Sequence, residues 1–164
     1  MKGLEIRQFR IEDTDGVLGV WESAGMIRPG RNPRADIQKK LGHSPESFFV
    51  GVQERQIVAT VMVGYDGHRG WIYLLAVRPE LQRKGIGRAM VEHVEGWLRL
   101  RGCLKAKLQI DEDRASVVGF YEKLGYEPQN LISMGRWFLP EGTDAVAESR
   151  RPAASRRPEP PPDA

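Results

Sequence analysis

The sequence predicts a mixed α/β fold, an α+β arrangement with a mostly antiparallel central sheet of about six to seven strands flanked by helices. Three observations predict it. β-rich runs at 48–53, 57–65 and 71–77 follow one another with short breaks. An amphipathic run then extends from 86 to 100, and a further alternating run follows at 105–110.

Taken in order, Leu4 to Arg10 alternates as a short strand, and Asp13 or Thr14 can cap a helix running to about Ala24. Pro29, Gly30 and Pro33 break the chain before a second short helix near 34–41. Asp66-Gly67 begins a turn into 71–77, which makes three consecutive strands antiparallel. The helix beginning near Lys84 sets Ile86, Met90, Val94 and Trp97 on one face, with Arg88, Glu92, Glu95 and Arg99 opposite, and Gly102 ends it. Ala106, Leu108 and Ile110 alternate with Lys105, Lys107 and Gln109, and a right-handed crossover sets this strand parallel to 71–77. A helix over 114–124 and strands near 125–127 and 131–139 complete a domain spanning 1–140. Residues 141–164 have no aromatic residue, five prolines and two Arg-Arg pairs, the composition of a disordered tail.

Composition narrows the function. At 164 residues and 40% hydrophobic, the chain supports one domain with its own core. No apolar run approaches the roughly 18 to 20 residues of a membrane span, and Met1-Lys2-Gly3-Leu4-Glu5 lacks the apolar centre of a signal peptide, so a cytoplasmic location and no membrane partner are expected. Cys103 is the only cysteine, and it assembles no metal cluster with the scattered His43, His68 and His93. No metal is expected, and Cys103, following a helix-ending glycine, reads as a small buried residue. The net charge of +3 comes from scattered lysines and arginines without interleaved aromatics, so no nucleic-acid partner is expected.

The most informative stretch is Gln82-Arg83-Lys84-Gly85-Ile86-Gly87-Arg88, between a strand and an amphipathic helix. A helix start has unpaired N–H groups and a partial positive charge, and glycine lets a bulky anion approach the backbone. A diphosphate is the natural guest, although a solvated basic helix start would use the same residues. No Gly-Lys-Ser/Thr ending makes a nucleotide P-loop, Met90 stands where a dinucleotide fingerprint wants a small residue, and Arg78-Pro79-Glu80-Leu81 delays the glycines after the strand.

Strand 71–77, the Gln-x-x-Gly-x-Gly at 82–87, the helix and strand that follow, and Phe120-Tyr121-Glu122-Lys123-Leu124-Gly125-Tyr126 together resemble the GNAT superfamily of N-acetyltransferases over roughly residues 4–139. Gly64-Tyr65-Asp66-Gly67-His68-Arg69-Gly70 further looks like a bacterial branch, the YpeA-like acetyltransferases. The resemblance implies that the parallel strands 71–77 and 105–110 splay apart and that acetyl-CoA, as cosubstrate, lies between them. It implies a pyrophosphate held by Gln82, Arg83, Lys84, Gly85, Ile86, Gly87 and Arg88. Leu75 and Val77 would pair through their backbones with the pantetheine arm, and an N–H near Ala76 would face the acetyl carbonyl. Tyr121 would protonate the departing thiolate, whereas apart from the resemblance it reads as a core aromatic on the helix face.

The family often carries a glutamate on the strand matching 71–77, and here that strand has no acid, which leaves Tyr73 acting through water, Asp66 or Glu22 as alternatives for the proton acceptor, or loss of the proton to bulk water. Arg114 replaces an asparagine usual in the family and could reach a CoA phosphate; Asp111, Glu112 and Asp113 beside it read as helix-capping acids. The segment Met26 to Arg34 would lie over the acceptor site, where Arg28 and Arg31 could hold a carboxylate or phosphate, unless they are simply solvated loop cations. The function implied is acetyl transfer from acetyl-CoA to a primary amine, on a small molecule or a peptide, by a monomer or homodimer. An acyl-CoA sensing module with little catalysis is the alternative.

Overall fold

The computed structural model describes residues 3–27, 32–111, 114–136 and 138. Met1–Gln129 forms one compact unit that holds every helix and strand below, and Asn130 onward forms a separate one. The expected tail, 141–164, lies outside the described residues, as do Arg28 and Arg31.

Five strands form a single sheet in chain order: β1 (Glu5–Gln8), β2 (Phe48–Gln53), β3 (Gln56–Tyr65), β4 (Gly70–Val77) and β5 (Ala106–Lys107). The first four pair antiparallel and β5 is parallel to β4, as the crossover requires. The β3–β4 turn is closed by Asp66, whose Oδ1 accepts the N–H groups of His68 (2.7 Å) and Arg69 (2.6 Å), while Gly67 takes φ 86°.

Helices cover both faces. α1 (Thr14–Ser23) and α2 (Pro33–His43) bury Val17, Val20, Trp21 and Ile37 against Phe48, Val50, Met62 and Ala76. α2 starts one residue earlier than the sequence suggests, because the Asn32 side chain accepts the Ala35 N–H (3.2 Å) and Pro33 is preorganised for the first turn. On the other face, α3 (Ile86–Arg99) buries Ile86, Met90, Val91, Val94 and Leu98 against Phe49, Val58, Val61, Val63 and Ile72. Each such side chain contributes about 1.5–3 kcal/mol of burial. Gly102, at φ 75°, ends that helix by letting the Cys103 N–H reach the Leu98 carbonyl (3.1 Å). α4 (Ala115–Glu122) follows, and no described helix is long and apolar enough to cross a membrane.

Two expectations are corrected. The described residues carry five strands rather than six or seven, and the run at 105–110 pairs only over Ala106–Lys107. At 125–127 the backbone is committed elsewhere: Gly125 sits at φ 86° and the Tyr126 N–H bonds back to the Tyr121 carbonyl (3.1 Å), so these residues end α4 instead of forming a strand. The described part of 131–139 also forms no ladder, and Pro128, with no N–H to donate, interrupts the chain before it.

Asp13 also departs from its expected role. Its carboxylate does not cap α1 but takes a bidentate pair from Arg7 (2.7 and 2.8 Å) and the Arg10 N–H (2.8 Å), tying β1 to the helix start. Burial works against the charged form, but the hydrogen bonds from Arg7 and Arg10 prevail and hold Asp13 below the ordinary carboxylate range. A depressed folded-state pKa adds stability above the unfolded value and loses it as the pH falls through the folded one. Asp13→Asn should therefore cost roughly 2 kcal/mol at pH 7, and the gap to wild type should close in urea unfolding as the acid range is entered. An equal gap at pH 7 and pH 2.5 would contradict this.

Candidate active site

The site begins where β4 leaves both of its neighbours' registers. On the β3 side, Thr60 pairs with Ala76 and Met62 with Tyr73, so Val61 alone opposes Leu74 and Leu75. This is a bulge, and Leu74 lies in the left-handed region at φ 48°, which costs a residue with a side chain about 1–2 kcal/mol. A buried relay holds it: the Trp21 indole N–H donates to the Thr60 hydroxyl oxygen (2.9 Å), and that hydroxyl donates to the Leu74 carbonyl (3.1 Å). Thr60 is fully buried.

On the β5 side, only Gly70 with Ala106 and Trp71 with Lys107 are paired. Gly70 is required at this joint, since a Cβ there would come 2.6 Å from a Leu98 methyl and 3.1 Å from Cys103 Sγ. Beyond Trp71 the two strands part, leaving the β5-side edge of 72–77 with no ladder partner among the described residues.

At the far end of β4, the chain turns through Pro79–Leu81, with the Gln82 amide donating to the Val77 carbonyl (3.1 Å). Arg83 (φ 58°) and Gly85 (φ 84°) then redirect it into α3. Gly85 is the helix N-cap and offers no side-chain acceptor, no acid stands in the first turn, and the first intrahelical bond is from the Ala89 N–H to the Gly85 carbonyl (3.1 Å). The earlier N–H groups of α3 therefore lack intrahelical partners, beside the exposed Arg83, Lys84 and Arg88. Ile86 points into the core, so only its backbone faces the turn. Gly87 has a packing role as well, because a Cβ there would lie 3.3 Å from the Phe120 ring.

That contact brings α4 alongside. Tyr121 is only 7% exposed and sits edge-on to Phe120 and Tyr126, with ring centroids 5.0 and 5.3 Å away. Tyr126 is fixed in turn by donating to Glu95 (2.9 Å), a residue read from the sequence as solvent-facing. The Tyr121 hydroxyl makes no hydrogen bond with a described residue. Burial raises its pKa well above the ordinary phenol range, and it stays protonated.

Tyr73 is 46% exposed and its ring lies over Gly64, where a Cβ would come 3.2 Å from the Tyr73 hydroxyl oxygen. Burial, then the Asp66 carboxylate, raises its pKa. Asp66 itself is held below the usual range, first by the Arg69 and His68 N–H groups, and its Oδ1 is spent on the turn. Glu22 is exposed on α1 and forms no hydrogen bond or ion pair with Tyr73 or Asp66. Arg114 occupies the N-cap of α4 with its Nε 3.7 Å from an Asp111 carboxylate oxygen, and its N–H bonds the Asp111 carbonyl (3.0 Å); Glu112 and Asp113 lie outside the described residues. Arg34, in the segment over the expected acceptor site, pairs with Asp15 (2.5 Å).

Two parallel strands thus part beside an open, cationic helix start, with a buried tyrosine alongside. Residues 11–126 match the acetyltransferase (GNAT) family, and the chain belongs to it. An acetyltransferase of Pectobacterium atrosepticum is 43% identical over 133 residues, covering 81% of this chain and 94% of that one. Among solved structures, the ribosomal-protein-S18-alanine N-acetyltransferase of Escherichia coli has a TM-score of 0.64 at 22% identity, covering 74% of this chain and 76% of that one. The PaiA N-acetyltransferase of Thermoplasma acidophilum, solved with coenzyme A, has a TM-score of 0.64 at 16% identity, covering 79% and 93%. These two share the fold, and the chain is an N-acetyltransferase by family.

Sequence reasoning missed the Trp21–Thr60–Leu74 relay and the closeness of Tyr73 to Gly64. Thr60 lies in a continuous buried run and reads as an ordinary β-branched strand residue, so no periodicity marks it.

If the exposed cations of the turn hold phosphate, replacing Arg83 and Lys84 together with alanine should weaken coenzyme A binding by about tenfold or more. Binding of acetylpantetheine, which lacks the diphosphate, should stay within about twofold in the same calorimetric titration. Equal losses for both ligands would contradict the assignment.

Proposed function

We propose that this protein transfers acetyl from acetyl-CoA directly to a primary amine within a ternary complex. The observation that carries the proposal is the parting of β4 from β5 after two paired residues, beside an uncapped helix start. An extended amide-rich chain fits such an edge as a strand would, its amides meeting the main-chain groups of Leu75 and Val77. The diphosphate would then rest at 82–88, with Arg114 available to a further phosphate if it leaves Asp111.

The amine nitrogen attacks the thioester carbonyl carbon, forming the C–N bond and placing negative charge on the carbonyl oxygen, which an N–H near Ala76 stabilises. Collapse breaks the C–S bond. The sulfur takes a proton from the Tyr121 hydroxyl, and the tyrosine recovers one released from the attacking nitrogen through water. Burial suits Tyr121 to this role because it keeps the phenol protonated until charge develops on sulfur. Cys103 is the only cysteine; it is buried and its thiol donates to the Lys105 carbonyl (3.4 Å), which supports direct transfer without an acyl-enzyme.

The amine must lose protons as it attacks, and the residues offer a water relay more readily than a strong base. Tyr73, half-exposed and protonated, can pass a proton through water, with the Asp66 carboxylate biasing the field around it. Glu22 would belong to the acceptor side of α1. Arg28 and Arg31 would favour an acceptor carrying a carboxylate or phosphate, since Arg34 is already paired with Asp15.

Tyr121→Phe should lower kcat by about a hundredfold in a thiol-release assay over amino acids, polyamines, aminoglycosides and peptides, with acetyl-CoA affinity unchanged. Full turnover by the variant would remove Tyr121 from the mechanism. Arg28→Ala with Arg31→Ala should raise KM for acidic acceptors alone; the same rise for neutral amines would rule out their part in acceptor choice.

A further inference from the structure

Thr60 belongs to no motif, yet it is fully buried on the central strand and joins a helix on one face of the sheet to the most strained residue of β4. Two hydrogen bonds run in one direction, from the Trp21 N–H to the Thr60 oxygen and from the Thr60 O–H to the Leu74 carbonyl. Such a chain polarises each member and fixes the otherwise free rotation of the hydroxyl.

The consequence lies one bond further on. Every peptide described is trans, so the carbonyl of Leu74 and the N–H of Leu75 point in opposite directions across one rigid plane. A hydroxyl that holds the carbonyl toward Thr60 therefore also directs the Leu75 N–H away from it. Leu74 is the residue at positive φ, where the plane would otherwise relax toward the ordinary strand conformation.

We infer that Thr60, held by Trp21, is a positioning residue for acetyl transfer: its hydroxyl fixes the Leu74–Leu75 peptide of the bulge and so aims the Leu75 N–H at the thioester. The inference rests on the proposed transfer reaction, and it assigns to α1 a part in the cofactor side of the site. A polar pair that served burial alone would not need the acceptor to be the carbonyl of the bulged residue.

The test compares Thr60→Val, Thr60→Ser and Trp21→Phe with wild type by steady-state kinetics, acetyl-CoA titration and amide hydrogen exchange along β4. Thr60→Val and Trp21→Phe should lower kcat by about tenfold or more, keep acetyl-CoA affinity within about twofold and speed exchange at 75–77. Thr60→Ser, which retains the hydroxyl, should stay near wild type. Should Thr60→Val not fold, Trp21→Phe carries the same comparison. Unchanged kcat in the folded variants, or a Thr60→Ser variant as impaired as Thr60→Val, would overturn the inference. If wild type transfers acetyl to no amine, the transfer reading itself fails, and exchange rates at 75–77 unaltered by the substitutions would dispose of the relay separately.

Discussion

The departure of β4 from β5 is the constraint on which the rest of the molecule depends. Parallel strands ordinarily continue together, since each lost pair leaves main-chain donors and acceptors to be satisfied some other way. Here the joint has only two pairs among the described residues, and at its first Gly70 packs so closely on Leu98 and Cys103 that a Cβ would not fit. On the opposite side the bulge at Leu74–Leu75 takes β4 out of step with β3. A strand displaced from regular pairing on both sides leaves part of its backbone without ladder partners among the described residues, and the same stretch leads directly into the start of α3.

The chemistry grows from this geometry. Because Gly85 caps α3 without a side chain, the helix start keeps its N–H groups and partial positive charge for something other than the protein. Gly87 admits Phe120 against the first turn, so α4 packs there and carries Tyr121 with it. The same glycine-rich turn thus governs an anion-attracting end and the placement of a buried phenol. Tyr126 and Glu95 support that phenol from behind, so a charged residue of α3 serves the site at one remove.

Much of this was legible in the sequence. The helix start at 82–88 and the pairing of a glycine turn with Phe120–Tyr121 are local patterns, and the family membership they imply holds. Strands β2, β3 and β4 fall where the β-rich runs place them because their ends are set by turn residues. What could not be read depends on contacts between distant segments. No local pattern tells that Asp13 answers Arg7 instead of capping its own helix, or that Asp66 spends its carboxylate on a turn. Gly125 looks like the start of a strand, but a glycine after a helix serves equally to end it, and only the bond from Tyr126 to Tyr121 decides. The bulge is the hardest case, since Leu74 is a residue that seldom adopts a positive φ and its support comes from Thr60 and Trp21.

The most direct test of the account is a titration of the isotope-labelled protein with coenzyme A, followed by backbone amide NMR. The account predicts shifts at 75–77, at 85–88 and around Tyr121, with β1 and β2 little changed. Shifts confined to the surface between α1 and α2, with 85–88 unmoved at saturation, would contradict it.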